Sequence, residues 1–399
     1  MKKIGIIAFL FVGVLGSGCS SETPGGETEN AYRQLPLTAA TRGAVEVNNG
    51  FAVKLLKEIS SKEDGNVCIS PISVSTAVSM FANGDDDESR DKALAVLGYS
   101  KGREGLETLN SYNSLMLENL PILDRTTRCM ISNSLWNAGI RPFTADFKST
   151  VSAVYNAESF DMHPGDSKGR ERINQWIEGK TDGMIKTFLT EDLLSDVALV
   201  NACYFQGKWK VPFDIKDTTK DEFLNIDGTS GKAEFMKNKD VFYYSETDDA
   251  CSVRMPYGNG NFAMYLLLPK EGYGLEDIMK PETVNTVVDN KELYEVDLRV
   301  PSFNHSYKCD LVGSLENLGM KKEFEGVVEN DVYTLNMMLH GVEIKVDEEG
   351  TSSSSTTVSG MLTSPGLRDV EMVFNRPFIY FICEESTKSI LFIGTVTKF

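Results

Sequence analysis

Histidine is almost missing from this chain: His163, His305 and His340 are the only three in 399 residues. No two lie within a helical turn of each other, which excludes a His-x-x-x-His zinc pair. Basic charge is also short, with 40 Lys and Arg against 58 Asp and Glu and a net charge of −18. Phosphate binding needs a concentrated basic surface, so nucleic acid is excluded as a partner. The seven cysteines are never closer than 48 residues, a spacing that rules out CxxC redox motifs and zinc knuckles. Leaving Cys19 aside, the other six read as buried free thiols rather than as a disulfide frame. G-x-x-x-x-G-K-[S/T], G-x-G-x-x-G and G-x-S-x-G are all absent, so the enzyme classes that carry these fingerprints have no support. No metal and no cofactor are expected.

The N-terminus is informative. Met1-Lys2-Lys3 precedes an almost wholly apolar run from Ile4 to Leu15, then Gly16-Ser17-Gly18-Cys19. A basic start, a short apolar core and small residues read as a secretory signal over 1–18, too short for a structural membrane span. Small residues ending in cysteine are similar to a bacterial lipoprotein processing site, although Gly16 stands where an aliphatic residue is usual. Cys19 is then the lipidation site, and the chain is exported and anchored by acyl groups at the cell envelope, on its periplasmic or outer face, without spanning the bilayer. Residues 19–44 read as a polar tether. Order is expected from about Asn48, where Phe51, Leu55, Leu56 and Ile59 follow one helical face.

From residue 45 to Phe399 there is no linker, repeat or break in composition, which favours one large mixed domain. Helices are expected over Ser73–Asn83, Ser89–Leu97 and about Lys168–Glu178. The run Asp85–Glu88 before the second of these suits a helix N-terminus and reads as a solvated cap without partners. Strands are expected at Ala198–Phe205, Phe262–Leu268, Leu293–Pro301, Glu343–Asp347, Ile379–Glu384 and Ile390–Thr397. Ala198–Phe205 and Ile390–Thr397 are near-continuous apolar runs, as strands buried on both faces should be. Helices first and strands later, without regular alternation, make the fold class α+β.

One segment fits neither element. Thr351–Ser364 reads TSSSSTTVSGMLTS, fourteen residues with no charge and no proline. Its composition is that of a loop. Yet small Ser and β-branched Thr and Val can enter a sheet without steric conflict, and nothing in the run forbids a strand ladder. On these residues alone, a flexible linker and a strand-forming loop are both open.

Around this segment stand His340-Gly341-Val342-Glu343-Ile344-Lys345-Val346-Asp347-Glu348-Glu349-Gly350-Thr351, then Phe374-Asn375-Arg376-Pro377-Phe378 and Leu391-Phe392-Ile393-Gly394. Upstream come Asn66-Val67-Cys68-Ile69-Ser70-Pro71-Ile72-Ser73, Ile173-Asn174-Gln175-Trp176-Ile177, Leu199–Trp209 and Met264–Pro269. Taken in order, these pieces resemble the serpins over roughly residues 48 to 399. The resemblance implies a serpin domain over 45–399 with three β-sheets, about eight to nine helices and an exposed reactive-centre loop. It also implies a suicide-type inhibitor of serine endopeptidases, with cysteine endopeptidases as a second target class: the protease cuts the loop, and the freed loop inserts into the central sheet with the acyl-enzyme attached. The partner is then the target protease and the inhibitor a monomer, not itself an enzyme. A binding or chaperone protein on the same fold, whose loop is a mere substrate, is the alternative.

The resemblance carries over to single residues. Glu349, Gly350, Thr351, Ser353, Ser355 and Thr357 match the hinge, with small side chains at alternate positions, although Ser and Thr stand where inhibitory members usually have Ala. Ser70, Ser73, Asn201 and His340 match the polar shutter beneath the sheet, and Trp209 matches the breach tryptophan at its top. Cys203 reads as core filling; His163 and His305 read as surface or turn residues. Counting from the hinge puts the cut after Ser364, before Pro365, which most serine proteases reject; counting back from Phe374 gives Gly366. Thr363–Ser364 is therefore the expected reactive bond, with Met361–Leu362 as the alternative. With no Arg or Lys before Arg368, trypsin-like targets are not expected.

Overall fold

The computed structural model describes residues 30–84, 87–137, 139, 141–162, 168–190, 197–290, 292–351 and 366–399. Of the hinge and loop, Ser353, Ser355, Thr357 and Met361–Pro365 lie outside the described residues, as do Cys19 and His163.

Among the described residues there are nine α-helices and three β-sheets. The helices are α1 Ala39–Ser60, α2 Pro71–Ala82, α3 Asp87–Leu97, α4 Arg103–Asn119, α5 Ala145–Tyr155, α6 Gly169–Lys180, α7 Leu275–Ile278, α8 Pro281–Asp289 and α9 Val312–Asn317. The largest sheet runs in the order β1 (Val67–Ile69), β17 (Ser389–Val396), β16 (Phe378–Glu384), β8 (Phe262–Pro269), β7 (Ala250–Pro256), β6 (Ser230–Glu246), β9 (Leu293–Pro301) and β15 (Asp369–Val373), with β5 (Thr219–Leu224) also on β6. The second sheet runs β10 (Phe303–Asp310), β13 (Met338–Val346), β4 (Val197–Lys208), β2 (Thr127–Asn137) and β3 (Glu158–Asp161), with a short β14 (Gly350–Thr351) on β4. β11 (Glu323–Val328) and β12 (Asp331–Thr334) form the third.

All the expected strands are present, and every residue of β8, β16 and β17 is buried. These strands are apolar on both faces because α1 and α2 pack on one side of β17 while the second sheet covers the other part of the same core. α2 is buried along its whole length. Two of its hydroxyls bond back along the helix, Thr76 Oγ1 donating to Ile72 O at 2.7 Å and Ser79 Oγ to Ser75 O at 2.6 Å, which helps a polar helix sit in an apolar environment.

Five expectations need correction. Order starts before Asn48: α1 begins at Ala39, behind a box in which Thr38 and Thr41 cap each other's backbone N–H. The described part of the expected tether is docked as well, with Asn30 Nδ2 on Asp124 Oδ1 at 2.7 Å, Asn261 holding both the N–H and the carbonyl of Arg33, and Leu35 buried. The acidic cap of α3 does have partners: Asp87 pairs with Arg90, and Glu88 with Lys92 and, across to another segment, Lys321. Of the six described cysteines, all free, Cys251 and Cys309 are only half-buried. Finally, His305 is no surface residue. It lies 5% exposed on β10 with Nδ1 at 2.9 Å from the Tyr380 hydroxyl, because Phe303 and His305 of β10 pack their rings against Tyr380 of β16.

Candidate functional site

The second sheet is mixed, and its central pair is unusual. β4 and β13 run parallel, and they pair directly from Met338↔Leu199 to Glu343↔Tyr204. No strand lies between them over that stretch. Beyond it they diverge: Ile344–Val346 pairs only with β10, while Phe205–Gly207 stays with β2. The sheet is thus closed below and parted above, along one seam.

Beneath the closed part lies a polar ladder. Asn133 on β2, Asn201 on β4 and His340 on β13 are cross-strand neighbours at one level. The Asn201 amide donates to Asn133 Oδ1 at 2.6 Å and to the backbone carbonyl and side chain of Ser73; its Oδ1 lies 2.6 Å from His340 Nδ1. His340 Nε2 accepts the backbone N–H of Ser70 at 3.0 Å. That bond fixes the tautomer: Nε2 bears no proton, so Nδ1–H donates to Asn201. Ser70 does not cap α2 with its side chain; its hydroxyl donates instead to Leu391 O on β17 at 2.8 Å. Ser70, Ser73, Asn201 and His340 are fully buried, so the structure brings the four expected shutter residues into one network tying four strands, β2, β4, β13 and β17, to the start of α2. Cys203 fills the adjacent space with its thiol on Asn201 Oδ1 at 3.3 Å, and burial pushes that thiol up to about 12.

Burial pushes His340 down to about 3 and His305 down to about 4. Both rings are therefore neutral in the folded protein, and they take up protons on unfolding below their ordinary value of about 6.5. Between that value and the depressed folded values the unfolded chain binds more protons, so stability rises with pH and is lost on acidification, by about 1.4 kcal/mol per pH unit for each histidine. The guanidinium unfolding midpoint of the wild type is expected to fall between pH 6.5 and 4.5 more steeply than that of His340→Gln. Equal slopes would show that the ring does not stay neutral.

At the parted end stands the hinge. The Trp209 backbone N–H donates to Glu349 O and its indole N–H to Asp347 O, both at 2.9 Å, while its ring stacks on Tyr257 at 4.3 Å. Phe213 N–H donates to Glu348 O at 2.9 Å and Thr218 Oγ1 to Glu348 Oε1 at 2.7 Å. The turn Asp347–Gly350 is thus held by the segment that follows β4, and it directs Gly350–Thr351 into the parted seam, antiparallel to Lys208 and Gly207. Gly350 has φ +143°, and a Cβ there would lie 2.1 Å from the Gly207 carbonyl oxygen. Only glycine allows both that backbone and that approach. Trp209, Glu349, Gly350 and the Thr351 backbone accordingly sit together at the parted end of the seam.

Asn133, Tyr257 and Asp347 belong to this site and were not among the expected residues. Asn133 had a signal, since an asparagine near the apolar Leu135-Trp136 pair of a strand needs a partner once that strand is buried. Tyr257 had none, because it meets Trp209 through a ring stack and an isolated bridge that only the folded chain brings together.

A mixed sheet whose central parallel strands are closed over a polar ladder and parted at a strand-forming turn defines a recognisable class of fold. A family model described as Serpin (serine protease inhibitor) matches residues 46–399, and the chain belongs to the serpin family. Human Serpin B3 is 27% identical over 380 residues, covering 88% of this chain and 97% of its own length. Serpin-Z10 of Arabidopsis thaliana is 29% identical over 385 residues with the same coverage, 88% and 97%. Among solved structures, the thermophilic serpin Tengpin in its native state superposes with a TM-score of 0.80 at 26% identity, covering 92% of this chain and 97% of that one. Human thyroxine-binding globulin complexed with thyroxine gives 0.82 at 24% identity, covering 90% and 99%, a likeness of fold alone. Serpins are in general protease inhibitors rather than enzymes.

Proposed function

We propose that this chain is a lipid-anchored monomeric inhibitor of serine endopeptidases, and of cysteine endopeptidases that accept the same loop, exported to the cell envelope and held there through Cys19. The target would attack the Thr363–Ser364 bond, or Met361–Leu362, and form an acyl-enzyme. The freed loop would then enter the seam between β13 and β4 before water releases the protease. One observation carries this reading: the central parallel pair is parted at its upper end, and Gly350–Thr351 already pairs with Lys208 and Gly207 there. An inserting strand would extend a ladder that has begun. Each register gained adds backbone hydrogen bonds to both neighbours, so the uncut form is a kinetic trap.

Protein lacking residues 1–19, mixed with elastase, subtilisin, chymotrypsin or papain, is expected to give a band at the summed mass on a denaturing gel. Mass spectrometry of the released C-terminal peptide then identifies the bond. Clean cleavage between Met361 and Gly366 with no such band for any of the four proteases would overturn the inhibitory reading in favour of a binding protein on this fold.

A further inference from the structure

The other face of the seam carries a contact that none of the hinge, shutter or breach residues accounts for. One register above the His340–Asn201 pair, Gly341 on β13 pairs with Ala202 on β4 and with Lys308 on β10. Successive residues of a strand point to opposite faces, so this level faces away from the shutter. Phe188, from the stretch that follows α6, lies on it. A Cβ on Gly341 would be 2.3 Å from the Phe188 ring, so the ring rests directly on the strand backbone. Phe188 is 9% exposed and shares a small core with Ile173, Ile177, Ala202 and Leu339. That core spans both sides of the seam.

The ring is also held in place. Asn174 on α6 accepts the backbone N–H of Phe188 at 3.0 Å and of Leu189 at 2.8 Å, and donates to Leu189 O at 2.9 Å. Thr181 accepts the N–H of Ile185 at 3.1 Å. Lys308 lies over the ring with its ammonium 5.4 Å from the centroid, and donates to the carbonyl of Thr187. The backbone of Phe188 is thereby fixed to α6, which packs on β4, while the ring rests on β13 and under a side chain of β10.

We propose that Phe188 is a latch across the seam, a positioning residue that sets the rate at which β13 and β4 part. The inference rests on the inhibitory reading above and deepens it. A strand entering between β13 and β4 moves Gly341 and Ala202 from one strand spacing, about 4.8 Å, to two. Phe188 cannot then keep Ala202, Gly341 and Lys308 together. Its dispersion contacts and its cation–π contact are lost on the way to the inserted form and oppose the opening. The latch stabilises the closed sheet and not the inserted one, so removing it lowers the barrier rather than shifting both forms together.

The test compares wild type, Phe188→Ala, Phe188→Leu and Gly341→Ala, with elastase as the protease. Complex formation is followed on a denaturing gel at saturating elastase, together with the moles of inhibitor consumed per mole of protease, and the uncut and cut forms are melted separately. In Phe188→Ala the complex is expected to form roughly tenfold faster, the change that about 1.4 kcal/mol off the barrier produces, with fewer cut molecules escaping as substrate. Its uncut form should melt lower, and its cut form nearly as the wild type does. Gly341→Ala, whose methyl group displaces the ring without emptying the core, should act the same way, and Phe188→Leu should restore most of the wild-type rate. If Phe188→Ala lowers both melting temperatures equally and leaves rate and stoichiometry unchanged, Phe188 is packing only and the latch is overturned. If the wild type itself forms no complex and gains no stability on cutting, the insertion reading falls and takes the latch with it.

Discussion

Thr351→Arg is expected to leave the loop cleavable and abolish the covalent complex. Position 351 pairs with Gly207, and residues opposite each other in an antiparallel ladder share a face. On that face a Cβ at Gly207 would lie 2.9 Å from the Tyr257 ring, in a cluster where Phe205 meets Tyr257, Phe262 and Phe392 edge-on at 5.0–5.8 Å. In the inserted form this position therefore faces an apolar interior. A small residue fits there, whereas an arginine brings a charge with no partner, at a cost of several kcal/mol. The arginine would keep residue 351 out of the ladder position it holds in the uncut chain, so insertion would not propagate past it, and hydrolysis of the acyl-enzyme would win. The readouts are loss of the summed-mass band with cleavage retained, and loss of most of the gain in melting temperature that cutting produces. Thr351→Ser should behave as the wild type. A complex formed by Thr351→Arg at wild-type stoichiometry would sink the assignment of this seam as the site of insertion.

Asn201→Ala is expected to cost the native form most among single shutter changes. The Asn201 side chain bonds to Asn133, Ser73 and His340. Its loss leaves a buried acceptor on Asn133, a buried hydroxyl on Ser73 and a buried N–H on His340, each worth about 1–3 kcal/mol when unpaired. Together they amount to roughly 3–6 kcal/mol and a fall in melting temperature on the order of ten degrees. The cost falls on the closed seam, since the His340–Asn201 bond joins the two strands that must part. Native protein should then lose inhibitory activity on storage faster than the wild type. The check is a double-mutant cycle with His340→Ala, in which the coupling should exceed the roughly 0.5 kcal/mol expected of independent sites. Simple additivity would mean that the ladder does not act as a unit.

Much of this site was legible in the sequence, for different reasons at different residues. The strands Ala198–Phe205 and Ile390–Thr397 announce themselves by near-continuous apolar runs, as burial on both faces requires. The hinge and shutter are legible through resemblance, because their residues fall in short ordered motifs. What stayed hidden depends on contacts between distant segments. His305 sits in an alternating stretch whose pattern suits a surface strand; its burial comes from Tyr380, far along the chain on another sheet. Phe188 lies in a stretch with no period of its own, and nothing in Gly341 alone says that an aromatic ring occupies the place of its side chain. The start of α1 was missed because its cap uses Thr38 and Thr41 rather than a serine with a glutamate, and because Gly43 and Gly50 dilute the helical pattern. That the sheet is closed in the uncut chain is a matter of competing free energies, which local composition does not report.

The parallel pair at the centre of the second sheet also bears on how the chain is made. Asn201 and His340 are 139 positions apart. At about 5–20 residues per second, a ribosome needs roughly 7–28 s between finishing one and the other. For that interval β4 has β2 on one side and a bare row of backbone donors and acceptors on the other. Such a row accepts any extended segment of suitable composition. The charge-free, proline-free stretch at Thr351–Ser364 is one, and on a neighbouring nascent chain it can arrive before the chain's own β13 does. The interval in which β4 waits for β13 is therefore when this fold is most exposed to pairing with another copy, and the exposure grows with the local concentration of unfinished chains.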